Sequence, residues 1–114
     1  MIEQIIKQQL MAYLDVPVVF ERPKDAPTSF ILIERTGSQK RDCLAKTTFT
    51  IRTYADTLYN AFSLATDVVD AVEALNERGD IGGVEFVNLY NNTNNGGFAG
   101  YNYQSIWQIA HYEI

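Results

Sequence analysis

Thr47-Thr48-Phe49-Thr50-Ile51-Arg52-Thr53-Tyr54, followed after Ala55 by Asp56-Thr57-Leu58, is the stretch that decides the fold. Its first half alternates, with Phe49 and Ile51 on one face and Thr48, Thr50 and Arg52 on the other, which predicts a half-buried strand. The period then changes. Leu58, Phe62, Ala65, Val69, Val72 and Leu75 recur at helical spacing through Asn76, which predicts a long amphipathic helix. Asp56 or Thr57 is the expected cap, since a short side-chain oxygen accepts a free backbone N–H. Gly79 is the expected stop, because it adopts a left-handed cap conformation without steric cost. A strand feeding directly into such a helix predicts a sheet with the helix laid across it.

Upstream, Ser29-Phe30-Ile31-Leu32-Ile33-Glu34-Arg35 reads as a strand apolar on both faces in its middle, which predicts a central place in the sheet. Residues 36–46, with Gly37, Ser38 and the run Lys40-Arg41-Asp42, read as a polar hairpin arm longer than a turn requires. Nearer the start, Ile2, Ile6, Leu10, Tyr13 and Leu14 form a helical stripe with Ile5 beside it. That helix is expected to end at Asp15 and Val16-Pro17, where backbone before proline turns extended. A brief strand is expected at 18–21. Two prolines in Arg22-Pro23-Lys24-Asp25-Ala26-Pro27 make the next segment a loop.

Downstream, Gly82-Gly83 opens a strand at 84–90, and 101–112 is a long closing strand with Tyr103, Trp107 and Ile109 on one side. Between them, residues 91–100 read Asn-Asn-Thr-Asn-Asn-Gly-Gly-Phe-Ala-Gly, a turn-rich loop expected to be ordered by a partner. The order is α-β-β-β-α-β-β. The expected fold is α+β: a single domain over 1–114, with one antiparallel-rich, mixed sheet and two helices packed on it.

Composition narrows the chemistry. The chain has 114 residues, 46% of them hydrophobic and 20% charged, which suits one globular domain. Seven Tyr and six Phe against a single Trp suit half-buried sheet faces and subunit contacts. The net charge of −5 argues against a protein that grips nucleic acid, which shows a basic patch. Cys43 stands alone, so neither an intrachain disulfide nor a cysteine-based metal site can form. The opening Met-Ile-Glu-Gln-Ile-Ile-Lys has neither a basic region nor a long apolar run, so it is not expected to act as a secretory leader, and no window approaches the roughly 20 apolar residues of a membrane span. The expectation is a soluble, intracellular protein, in which Asn91-Asn92-Thr93 is not a working glycosylation acceptor.

Candidate catalytic groups are few. His111 lies between Ala110 and Tyr112 in the closing strand and is expected to be a sheet-face residue. Asp67, Asp70 and Glu73 share a helix face at metal-ligand spacing, with a solvated face as the expected reading. Glu34 and Arg35, flanking a strand end, could form ion pairs between subunits. Gly82-Gly83 and Gly96-Gly97 precede strands and lack a phosphate-loop Lys, so they read as turn glycines. Lys40, Arg41 and Lys46 form the positive cluster of the chain, suited to an acidic partner surface or to a solubilising tip. No catalytic, cofactor or metal residue is assigned, and no enzyme activity is expected.

With these elements in place, the chain resembles the siphophage and prophage neck proteins called tail terminators, also labelled tail-completion or minor capsid proteins. The resemblance rests on the N-terminal helix and on Phe30-Ile31-Leu32-Ile33-Glu34-Arg35-Thr36-Gly37 entering the polar arm. It continues in Thr50-Ile51-Arg52-Thr53-Tyr54-Ala55, the helix opening Thr57-Leu58-Tyr59-Asn60-Ala61, and Tyr101-Asn102-Tyr103-Gln104-Ser105-Ile106-Trp107. It implies a structural protein of the virion, assembled in the bacterial cytoplasm as a ring, commonly hexameric. That ring caps the tail tube and docks the head-side connector or stopper, while DNA passes through without specific binding.

The attachment devices it implies are the arm, the Asn/Gly loop and exposed strand edges. Gly37, Ser38, Gln39, Lys40, Arg41 and Asp42 in the arm, and Asn92, Asn94, Asn95 and Phe98 in the loop, are the candidate interface residues. Another head–tail joining protein of the neck is the alternative. A stand-alone α+β module would instead require an enclosed pocket with converging polar groups. A metal-dependent hydrolase would require Asp67, Asp70 and His111 to converge.

Overall fold

The alternating stretch around Phe49 forms the middle strand of a five-stranded sheet in the computed structural model. The structure describes residues 2–21, 29–41, 44–77, 81–91 and 101–112. In chain order the elements are α1 (Ile2–Tyr13), β1 (Val18–Val19), β2 (Phe30–Arg41), β3 (Leu44–Ala55), α2 (Leu58–Glu73), β4 (Ile81–Asn91) and β5 (Tyr101–Tyr112). A 3₁₀ turn, Ala74–Glu77, extends α2. The fold is α+β with a mixed sheet, in the order anticipated.

Across the sheet the strands run β1-β2-β3-β5-β4. Only the short β1–β2 pair is parallel; the β2–β3, β3–β5 and β5–β4 pairs are antiparallel. β5 therefore inserts between β3 and β4, and α2 carries the chain over β5 from one to the other. The fully paired positions of β3 and β5, from Leu44↔Tyr112 to Ala55↔Tyr101, make this pair the spine of the sheet.

Both helices cover one face. From α1 come Ile2, Ile6 and Leu10, from β2 Ile31 and Ile33, from β3 Phe49 and Ile51, and from β5 Trp107 and Ile109. Val68, Ala71, Val72 and Leu75 close the core from α2 and its extension. Polar groups inside this layer are paired. Trp107 Nε1 donates to Ser105 Oγ (2.9 Å), which in turn donates to the Ile51 carbonyl (3.3 Å). Gln9 Nε2 reaches the Ala71 carbonyl at 3.2 Å and ties α1 to α2.

Several details differ from the sequence reading, among them Gly82 and Gly83, which lie inside β4 and not in a turn before it. In α2 the buried stripe is Ala61, Ala65, Val68, Ala71 and Val72, continuing to Leu75; Phe62 is 48% exposed and Leu58 is exposed. The helix is rolled so that its first turns meet the sheet through alanines, Ala61 beside Thr53, while Val68, Ala71 and Val72 join the cluster of Phe49 and Trp107. In α1, Tyr13 lies outside the stripe, exposed at the helix end, while Ile5 and Leu14 pack half-buried. Finally, β2 is not central. Its second apolar face serves a separate cluster on the opposite side of the sheet, where Phe30 stacks on Tyr54 (4.5 Å between centroids) beside Leu32 and Val19.

The caps follow their chemistry. Thr57 is the N-cap of α2, accepting from the Asn60 amide at 3.1 Å, and Asp56 Oδ1 accepts from the Asn60 side chain at 2.9 Å. Val84 N donates to Asn76 Oδ1 at 2.8 Å and fixes the helix extension to β4. Gly79, the expected stop, lies outside the described residues.

Candidate interaction surfaces

The polar arm is a continuation of the sheet. β2 and β3 stay paired through Gly37↔Thr48, Ser38↔Thr47, Gln39↔Lys46, Lys40↔Ala45 and Arg41↔Leu44. β3 is also backed by β5 along this length. Thr36 is the extra residue of a bulge between Arg35 and Gly37, and its hydroxyl donates to the Thr48 carbonyl at 3.3 Å. Of the candidate interface residues, Gly37, Ser38, Gln39, Lys40 and Arg41 thus share one strand segment. Asp42, Asn92, Asn94, Asn95 and Phe98 lie outside the described residues.

The register places the two candidate segments at opposite ends of the sheet. Arg41 and Leu44 bracket the β2–β3 connection at the end where Tyr112 lies. Asn91 and Tyr101 bracket the β4–β5 connection at the other end, where Ala55 pairs Tyr101 and α2 begins. Twelve-residue strands put those ends roughly 35–40 Å apart at about 3.3 Å per residue. Around the second end, Leu58, Tyr59 and Phe62 of α2 and Tyr101 of β5 are exposed, and the Phe62 ring tilts against Tyr103 at 5.4 Å.

The sides of the sheet are open among the described residues. Among the described residues no strand pairs the outer edge of β4, and β1 covers β2 only at Ile31 and Leu32. Residues 33–41 of β2 therefore have a strand on one side only. β4 carries exposed Phe86, Val87 and Tyr90, with the Phe86 ring packed on Trp107 at 5.1 Å. Bulges interrupt its register at Gly82 and Val87. At Gly82 an added Cβ would stand 3.3 Å from the Ala110 carbonyl oxygen, so the close approach favours glycine.

Beside the free edge of β2 lies a groove of about 300 Å³ lined by Glu3, Phe20, Ile33, Glu34 and Arg35. Arg35 donates to Glu3 of α1 at 2.6 Å and stands over the Phe49 ring, and Lys7 Nζ lies 5.3 Å from the centre of the Phe20 ring. Glu34 pairs with Arg52 at 3.4 Å. Glu34 and Arg35 therefore lie within β2 and serve pairs inside the subunit, because the strand runs on to Arg41.

The groups considered for chemistry stay apart. His111 is buried in β5, its Nε2 2.8 Å from the Thr47 hydroxyl across the β3–β5 pair. Asp67, Asp70 and Glu73 are exposed along α2. Among the described residues no group of three His, Cys, Asp or Glu side chains could hold a metal ion. No described helix is long and apolar enough to cross a membrane.

The open edge of β4 had one signal in the sequence. Phe86-Val87, two apolar residues in succession, breaks the alternation of the strand, and the second bulge falls at Val87. The β2 edge had a charge signal in Lys40-Arg41, but the β4 edge carries neither proline nor a charge run, so the sequence did not say which strand lies outermost on that side. No family model matches this sequence, and no match is found among curated proteins.

Proposed function

We propose that this protein is a structural subunit of a phage neck, a tail terminator whose ring caps the tail tube and joins it to the head-side connector. The observation that carries the reading is the division of the surface into ends and sides. The two candidate attachment segments leave the sheet at opposite ends, bracketed by Arg41 and Leu44 and by Asn91 and Tyr101. A joining protein needs two such faces, one for each neighbour. The edges of β2 and β4, which no further strand pairs among the described residues, lie between those ends and would serve contacts among copies. An unsatisfied strand edge is an aggregation hazard unless it is paired in a controlled way, and a closed ring supplies that pairing. The expected ring is hexameric, and DNA passes through it without specific contacts.

Gold-labelled protein added to purified tail tubes tests this. Label confined to one tube end, the end that faces the head, is the expected result. Label along the tube overturns the reading. Label on the connector of tail-less heads favours a head-completion protein instead.

A further inference from the structure

The two open edges differ in a way that names their partner. Alternating strand directions place β2 and β4 antiparallel to one another across the sheet. If a second copy follows by rotation about an axis along the strands, its β2 meets the outer edge of β4 antiparallel, the same pairing used throughout the main body of the sheet. The lengths are comparable: β4 has 11 residues, and among the described residues no strand covers β2 over the nine residues 33–41.

Charge separates this arrangement from a two-fold one. Residues 56–91, which contain α2 and β4, hold seven carboxylates and one Arg, a net charge of −6. Residues 30–55, the β2–β3 hairpin, hold five cations and two carboxylates, a net charge of +3. β4 itself carries one carboxylate, Glu85, whereas β2 over residues 33–41 carries Arg35, Lys40 and Arg41 against Glu34, so β4 with β2 sets a carboxylate beside a net positive edge and β4 with β4 sets carboxylate beside carboxylate. Shape agrees. The groove beneath Phe20 opens at the free edge of β2 by Ile33 and Arg35, and β4 presents Val87, half exposed at its bulge, as an apolar knob. Each edge carries a bulge, at Thr36 and at Val87, which bends the strand and raises its local twist.

We infer that the outer edge of β4 in one copy pairs antiparallel with the 33–41 edge of β2 in the next copy of this chain, making one continuous sheet around the ring. This rests on the ring reading above and specifies which surfaces build the ring. A knob from β4 enters the Phe20 groove, and the acidic α2–β4 half of each subunit faces the basic hairpin of its neighbour.

Cysteine cross-linking in assembled particles tests it. In a Cys43→Ser background, Glu85→Cys, Val87→Cys or Tyr90→Cys in β4 is combined with Glu34→Cys, Thr36→Cys or Ser38→Cys in β2. The particles are oxidised and run on non-reducing gels. At least one β4–β2 combination is expected to give a ladder of multimers, while the matching single variants stay monomeric. Single β4 variants that dimerise with themselves would overturn the head-to-tail pairing. If the unaltered chain enters particles but no combination cross-links, edge pairing fails and the ring reading stands. Absence of the unaltered chain from particles removes both.

Discussion

Phe62 and Leu75 show what sets the value of an apolar residue in this chain. Both fit a helical stripe, yet Leu75 is fully buried and Phe62 is 48% exposed against Tyr103. Leu75→Ala is expected to cost ~2–5 kcal/mol, because a buried side chain leaves a cavity. Phe62→Ala forfeits mainly a ring–ring contact and is expected to cost ~0.5–1.5 kcal/mol. Urea denaturation of both variants checks the pair, and equal losses would mean that α2 is rolled differently. Leu75 was legible from its position in the stripe. Phe62 was not, because the roll of α2 depends on how the helix seats on β3 and β5, where Phe62 meets Tyr103 at the rim. The polar relay from Trp107 through Ser105 to the Ile51 carbonyl was equally hidden, since its members meet only when β3 and β5 pair.

At the level of elements, local patterns carried far. The change of period after Tyr54 located β3 and α2, and Thr57 caps the helix as its hydroxyl suggests. Thr57→Ala is expected to lower stability by ~0.5–2 kcal/mol, measured by thermal melting, since the Asn60 amide loses its acceptor. No loss would mean that Asp56 can take over the cap. The order of strands was beyond reach. Nothing local says that β5 inserts between β3 and β4, because that choice depends on Trp107 and Ile109 finding the core between Phe49 and Phe86. The arm is also more than a protrusion. Lys46 and Thr47 pair with Ala110 and Ile109 of β5 as well as with β2, so its β3 half is sheet interior.

Over the whole molecule, the net charge of −5 conceals two opposed segments, −6 in residues 56–91 and +3 in residues 30–55. Head-to-tail contact between copies should therefore weaken with salt. Raising ionic strength from about 0.1 M to about 1 M shortens the screening length from about 10 Å to about 3 Å. Sedimentation of assembled rings is expected to show dissociation over that range, and rings that tighten in salt would point to purely apolar contacts. On the proposed ring reading, the two ends of the sheet serve neighbours along the axis and the two sides serve further copies of this chain. A capping ring requires that division of labour.

The most direct test of that role is tail length, measured by electron microscopy, in particles whose genome lacks this gene. Overlong or irregular tubes without heads are the predicted result, because the stop signal alone is missing. Normal-length tails beside full, unjoined heads would contradict a terminator and move the protein to the head side of the joint.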